Sequence, residues 1–176
     1  MRHKANARSF AWCQWKPDLL ATGTSAPEGK IRIWSTSSLA PHSPAPLHTI
    51  SLDTSVLSLQ WSPHCKELLS THGISWKPPP SRQHSSSSSR SIDRLPTFVK
   101  TPLTNSITVH QYPSCKRLMT LSNAHSSAVT RSCLSPDGES IFTVCPREET
   151  IKMWQVWSKP VPPPKKESAF DKYIIR

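Results

Sequence analysis

The strongest constraint on this chain is a pattern that recurs three times: an apolar run, a tight turn, a second apolar run, and a third strand-like segment that closes on a large ring. The last copy, from His125 to Trp154, is the most compact. Val129 to Leu134 is half apolar, and Ser135-Pro136-Asp137-Gly138 is a turn whose proline presets φ and whose glycine tolerates φ above zero. Ile141 to Cys145 is the second apolar run, and Thr150 to Trp154 alternates Ile151 and Met153 against Lys152. That order predicts an antiparallel meander. An earlier copy runs through Ala7 to Trp12, Leu19 to Thr22 and Lys30 to Trp34; another runs through Val56 to Trp61, Leu68 to Thr71 and, after a long gap, Ser106 to His110. Trp12, Trp61 and Leu134 are each followed eight residues later by Leu20, Leu69 and Phe142, which sets an expected register. Leu47 to Leu52 and Lys116 to Leu121 supply outer strands for the first two units.

A repeat of roughly 40 residues with about four short strands is the sequence form of a propeller blade. The expectation is an all-β fold, a partial β-propeller of about three blades over residues 1–157, interrupted by an insert and followed by a tail. The insert, at about 74–105, carries three consecutive prolines, five consecutive serines and Lys77, Arg82, Arg90, Arg94 and Lys100 against Asp93. Such a composition predicts a disordered loop at a hairpin tip. Residues 158–176, rich in proline and lysine, predict a flexible arm. Thr101-Pro102 in the insert and Ser43-Pro44 in the Ser- and Pro-rich connector from Ser35 to Pro46 are candidate proline-directed phosphorylation sites in segments expected to be mobile.

The net charge of +11 raises the possibility of an acidic partner, but much of it falls in the insert, the tail and the first eight residues. A nucleic-acid-binding protein that stacks bases on Trp12, Trp15, Trp34, Trp61, Trp76, Trp154 and Trp157 is the alternative reading. Repeat-equivalent tryptophans favour blade packing instead. The five cysteines are widely spaced without a CxxC pair, which favours a reduced intracellular setting. The histidines and cysteines lack metal-ligand spacing, and there is neither a Gly-rich phosphate loop nor a nucleophile elbow. The chain is therefore expected to have no metal, no cofactor and no catalytic activity. No apolar run approaches the roughly 20 residues of a membrane span, so no membrane association is expected.

Several stretches together carry a family resemblance: AWCQW at Ala11 to Trp15, LLATG at Leu19 to Gly23, KIRIW at Lys30 to Trp34, WSPHCKELLSTHG at Trp61 to Gly73, HQYPS at His110 to Ser114, SPDG at Ser135 to Gly138, and the terminal Ile175-Arg176. In these the chain resembles the WD-repeat propellers of the Fizzy and Fizzy-related family, substrate-recruiting activators of the anaphase-promoting complex, a ubiquitin ligase. A generic WD repeat would account for SPDG and KMW, but not for WSPHCKELLSTHG or the Ile-Arg ending. The resemblance implies the C-terminal part of a longer protein, a divergent fungal-type or meiosis-type member, because a seven-bladed propeller takes roughly 300 residues. A nonfunctional truncated fragment is a further alternative. In such a part the last blade lacks its outer strand, and open edges favour association.

What the resemblance implies for individual residues is specific. A WD blade buries a network of a histidine, a Ser or Thr, an acid and the tryptophan. His125, Thr143 and Trp154 match it in the last copy, with Glu148 at the acidic position after one inserted residue, which implies a loosened network; in the second copy His110 stands at the tryptophan position. Glu149 falls at an acidic position beside the family's destruction-box receptor, where a carboxylate pairs with the degron's arginine. In the KEN-degron pocket the chain departs from the family, with Ala128 at the basic position and Thr104 at the glutamine position. Ile175 and Arg176 match the tail that docks into a helical-repeat subunit of the ligase. The implied partners are that complex and degron-bearing substrates, and the implied location is nucleus and cytoplasm.

Overall fold

The computed structural model describes residues 1–37, 45–77 and 97–158. It is all-β, with twelve strands in three antiparallel sheets. Blade 1 has the order β1 (Ala7–Trp12), β2 (Leu19–Thr24), β3 (Lys30–Ser35), β4 (His48–Ser51). Blade 2 has β5 (Thr54–Trp61), β6 (Glu67–Lys77), β8 (Ile107–Gln111) and β9 (Arg117–Leu121), with the short β7 (Thr97–Val99) on the far end of β6. Among the described residues blade 3 has β10 (Arg131–Leu134), β11 (Ser140–Cys145) and β12 (Thr150–Gln155). The first strands of the blades lie side by side, β1 and β10 each against β5, so the sheets fan out from a common axis. This is a partial WD-repeat propeller.

The paired register corrects the eight-residue spacing. Trp12 faces Leu20, but Trp61 faces Leu68 and Leu134 faces Ile141, so Leu69 and Phe142 belong to the opposite face. The cause is one residue in the turn: 13–18 joins β1 to β2, whereas 62–66 and 135–139 are one shorter. Because side chains alternate along a strand, a slip of one moves a residue to the other side of the blade.

Each blade therefore has a front face, carrying the Trp12, Trp61 and Leu134 positions, and a back face. The back of blade 1 (Leu19, Ala21, Ile31, Ile33) packs on the front of blade 2 (Leu59, Trp61, Leu68). The back of blade 2 (Leu69, Ile107, Val109) packs on Ile141, Leu134 and Trp154 of blade 3. Polar ties pin both junctions: Trp61 Nε1 donates to the Ala11 carbonyl at 3.1 Å, and Trp157 Nε1 donates to Glu67 at 2.9 Å. At the turns, His64 Nε2 donates to the Asp137 carbonyl at 2.9 Å, beside Gly138. Gly138 has a φ of 75°, and a Cβ there would lie 2.3 Å from Pro63 Cγ, so glycine serves both the turn and the close approach.

Both ends of the expected insert are ordered. Residues 74–77 continue β6, Thr97–Val99 pairs with them, and Trp76 is buried with its Nε1 donating to the Pro27 carbonyl at 3.2 Å. That anchor fixes the base of the hairpin to blade 1. Residues 100–105 form a turn in which the Thr101 and Thr104 hydroxyls bond Ser75, so Thr101 is held rather than presented on a mobile segment. The remainder of the insert, 78–96, the Ser43-Pro44 pair and most of the tail lie outside the described residues. No helix among the described residues is long and apolar enough to cross a membrane.

Gly23 marks the tightest approach between blades 1 and 2, since a Cβ would lie 2.5 Å from Val56 Cγ1 and 2.4 Å from Ser9 Oγ. Gly23→Ala is expected to destabilise the fold by about 1–3 kcal/mol through overpacking. Val56→Ala combined with it should cost less than the two changes summed, as read from chemical-denaturation midpoints.

Candidate functional site

The polar groups on the front faces are organised by the same strands that build the junctions. In blade 3, β11 supplies Thr143, β12 supplies Trp154, the loop before β10 supplies His125, and the β11–β12 hairpin supplies Glu148. Trp154 Nε1 donates to Thr143 Oγ1 at 2.8 Å, and the Thr143 hydroxyl is 2.8 Å from His125 Nε2. His125 Nδ1 lies 2.6 Å from Glu148 Oε2. A carboxylate can only accept, so Nδ1 carries the proton, Nε2 accepts from Thr143, and all three bonds point the same way. Glu148 also accepts from the Ser126 backbone N–H and from Thr150 Oγ1 at 3.0 Å, with Lys152 Nζ at 3.3 Å. Hydrogen bonds from the side chain and backbone of Ser126 and from the His125 ring hold its carboxyl far below the usual carboxylate range. The network is closed, not loosened. Glu148 stands six residues before Trp154, as Glu28 stands six before Trp34, so no register is lost at the hairpin.

Blade 1 contains a second network that sequence reasoning missed. Trp34 Nε1 donates to Thr22 Oγ1 at 2.8 Å, and His3 Nε2 is 2.9 Å from the same oxygen. Arg32 comes between the histidine and the acid, with its guanidinium 2.7 Å from His3 Nδ1 and paired with Glu28. Glu28 also accepts from the Lys4 N–H at 2.9 Å. The signal was present in the spacing: nineteen residues separate His3 from Thr22 and eighteen separate His125 from Thr143.

Blade 2 solves the problem with two histidines. His110 pairs across from Leu68, as Trp34 does from Leu20 and Trp154 from Ile141, so it occupies the tryptophan position. The position nine residues before Trp61, which His3 and His125 take before Trp12 and Leu134, is held by Leu52; instead His72, within β6 and fully buried, places Nε2 3.0 Å from Ser70 Oγ. The Nδ1 atoms of His72 and His110 have no partner among the described residues. Burial, with His110 and Arg117 adding to it, lowers the His72 pKa to about 3, and burial together with Arg117 lowers that of His110 to about 4.

The hairpin between β11 and β12 also carries Glu149. It is exposed, has a φ of 55°, and is set by N–H bonds from Glu148 to the Cys145 carbonyl (3.1 Å) and from Glu149 to the Pro146 carbonyl (3.2 Å). Its carboxylate makes no hydrogen bond or ion pair with the described residues. Thr104 and Ala128 line one shallow depression, with Ile74, Asn105, Ser126 and Arg147 around them. Ile175 and Arg176 lie outside the described residues. His125, Cys145 and Glu148 bring potential metal-ligand atoms within 4.8 Å of one another, but both ring nitrogens of His125 are already engaged, so the cluster works as a hydrogen-bond network. Among the tryptophans, Trp34, Trp61, Trp76 and Trp157 are buried, which removes most of the base-stacking platform.

Two outcomes follow from these networks. Thr143→Val leaves the Trp154 N–H without its acceptor and is expected to lower stability by about 1–3 kcal/mol in chemical denaturation, with little change for Thr150→Val at the rim. His72 and His110 have folded pKa values below the unfolded value of about 6.5, so the unfolded chain binds more protons in between. Their contribution is complete above about pH 6.5 and is lost as the pH falls through 4 toward 3. Unfolding midpoints should drop over that range, and His110→Phe should flatten the upper part of the slope.

Comparison with known proteins gives this geometry a lineage. No protein-family model matches the chain. It is 32% identical over 97% of its length to "Cell division cycle 20.5, cofactor of APC complex" of Arabidopsis thaliana, covering 30% of that protein. It is 30% identical over 90% of its length to "Anaphase-promoting complex subunit cdc20" of Dictyostelium discoideum, covering 25% of it. It is also 30% identical over 91% of its length to "WD repeat-containing protein slp1" of Schizosaccharomyces pombe, covering 27% of it. The fold matches a chain in a crystal structure of the mitotic checkpoint complex with a TM-score of 0.65 and 29% identity, covering 89% of this chain and 38% of that one. The chain spans under a third of the length of the curated relatives it matches. Over nearly its whole length it is homologous to the Cdc20/Fizzy cofactors of the anaphase-promoting complex, and corresponds to a fragment of them.

Proposed function

We propose that this chain serves as a non-catalytic substrate adaptor of the anaphase-promoting complex, holding degron-bearing proteins on the propeller and docking to a helical-repeat subunit through Ile175 and Arg176. The ubiquitin-transfer chemistry then belongs to the complex, and the working location is nucleus and cytoplasm. The role rests on similarity to relatives named as cofactors of that complex. The observation that favours degron contact is Glu149, an exposed carboxylate on a hydrogen-bonded turn with no partner of its own among the described residues. Such a group is desolvated by nothing in the free chain and can accept both N–H groups of a guanidinium fork.

Two readouts separate the two contacts. In pull-downs of the ligase, removal of Arg176 should lower recovery severalfold while leaving degron-peptide affinity unchanged. In fluorescence anisotropy with an arginine-bearing destruction-box peptide, Glu149→Gln should weaken binding by about tenfold or more, the worth of one charged hydrogen-bonded pair. Equal recovery with and without Arg176 would remove the tail contact, and unchanged anisotropy would remove the role of Glu149.

A further inference from the structure

Four Ser-Pro or Thr-Pro pairs occur in the chain, at Ser43, Ser62, Thr101 and Ser135, and the last three lie among the described residues. Ser62 is fully buried, and its hydroxyl accepts the His64 and Cys65 N–H groups inside the turn that joins β5 to β6. The Ser135 hydroxyl bonds both the N–H and the carbonyl of Ser140, inside the turn that joins β10 to β11. Reaching either hydroxyl means parting two long-paired strands. Thr101 instead follows β7, a three-residue strand paired to the far end of β6, and Thr97, Phe98, Lys100 and Pro102 around it are exposed. A residue before proline also favours extended backbone, so local opening here costs few hydrogen bonds.

What holds Thr101 is a closed ring of hydroxyls. Thr104 Oγ1 donates to Ser75 Oγ at 2.9 Å, Ser75 Oγ lies 2.8 Å from Thr101 Oγ1, and Thr101 Oγ1 lies 3.4 Å from Thr104 Oγ1. With one proton per hydroxyl, Ser75 donates to Thr101 and Thr101 donates back to Thr104. Thr101 Oγ1 also accepts from the Leu103 N–H at 3.3 Å, and Thr104 Oγ1 from the Thr101 N–H at 2.9 Å. Ser75 is 1% exposed, so the ring closes against the interior.

We propose that Thr101 is a phosphorylation site for a proline-directed protein kinase, and that its phosphate releases the hydroxyl ring and with it the turn at residues 100–105. The Thr101 oxygen attacks the terminal phosphorus of a nucleoside triphosphate. An O–P bond forms as the bond to the nucleoside diphosphate breaks, and the hydroxyl proton passes to the kinase's base. Pro102 suits this class of enzyme because it lacks an N–H and fixes φ. The modified side chain cannot return to its place. Its ester oxygen has no proton for Thr104, and Ser75, Thr104 and Leu103 already surround that oxygen. A dianion beside buried Ser75 would also lose its water. Phosphothreonine therefore turns outward, where residues 97–106 offer Lys100 and no acid. Ser75 is then left without its acceptor and Thr104 without one of its donors. Thr104 and Asn105 form part of the wall of the depression shared with Ala128 and Arg147, so release of the turn moves that wall. The site does not depend on the adaptor role.

Treatment of the full chain with a proline-directed serine/threonine kinase and ATP, with sites mapped by mass spectrometry, tests the proposal. Thr101 should be modified, while Ser62 and Ser135 stay unmodified. Thr101→Ser should keep the modification at that position, and Pro102→Ala should lose it. Ser75→Ala removes one member of the ring and should speed modification of Thr101 severalfold. Circular dichroism should show unchanged strand content in this variant; if it is lost, Thr104→Val, which removes a different member, takes its place. In the phosphorylated chain, amide hydrogen exchange at Leu103 and Thr104 should quicken. An unmodified Thr101, modification that persists in Pro102→Ala, a ring variant modified no faster than the unaltered chain, or exchange that is unchanged or slower after phosphorylation would each overturn the proposal.

Discussion

A propeller blade is a twisted sheet with two apolar faces and cannot bury either by itself, so everything in this chain depends on the contact of one blade's back with the next blade's front. The contact is what places Ile31, Ile33, Trp61 and Leu68 in one cluster and Leu69, Ile107, Val109 and Ile141 in the other. Stability in such an array is a sum over blades and nearest-neighbour junctions, and the ends differ from the middle. Tight points along the junctions, Gly23 against Val56 and Gly138 against Pro63, show how closely the sheets approach. Where backbones come that near, the side chains between them are fixed in number and size, and the polar groups among them have no access to water.

That exclusion of water explains why each front face carries a hydrogen-bonded network instead of isolated polar residues. A tryptophan or imidazole wide enough to fill the junction brings N–H groups that must be satisfied. Blade 3 runs a one-way chain from Trp154 through Thr143 and His125 to Glu148. Blade 1 keeps the Trp34–Thr22–His3 portion but places the Arg32 guanidinium between His3 and Glu28, which reverses the imidazole's role at Nδ1 from donor to acceptor. Blade 2 drops both the preceding histidine and the tryptophan and uses His72 against Ser70. If His72 Nε2–H donates to Ser70, the unpartnered Nδ1 is a bare lone pair, a smaller penalty than an orphaned N–H. Three blades thus meet one requirement with three proton arrangements, and only the middle one leaves ring nitrogens unpaired among the described residues.

The meander and its three repeats were legible because turn residues and closing rings recur at fixed offsets, and strand alternation survives substitution. Register was less legible. The turn after Trp12 holds one residue more than the turns after Trp61 and Leu134, and no propensity distinguishes a five-residue turn from a six-residue one when both contain proline and polar groups. The last blade's four network residues could be named from the sequence, but their closure could not, because it depends on the hairpin placing Glu148 against His125. For His3 and Glu28 the spacing to Thr22 and Trp34 is the one sequence signal, because the segment before β1 has no periodicity, and it gains meaning once Trp34 is placed across from Leu20. Composition also hides the base of the insert: Trp76 lies within β6 and is buried, yet it stands beside a run of prolines.

The adjacent acids Glu148 and Glu149 illustrate how one hairpin separates structural from available charge. Glu148 accepts from the Ser126 N–H, the His125 ring and Thr150, so its charge is neutralised by donors and turned toward the junction. The next residue has a φ of 55°, a conformation that redirects the chain within one peptide, and its carboxylate is exposed. Had the hairpin closed with both residues in extended geometry, alternation alone would also have sent them to opposite faces, but within the sheet, where Glu149 would have met a neighbouring strand. The left-handed residue instead places the second carboxylate at the rim, off the ladder, on a turn held by two backbone bonds. A hydrogen-bonded turn with an uncommitted charge suits the guanidinium ligand proposed for Glu149, because little ordering remains to be done on binding.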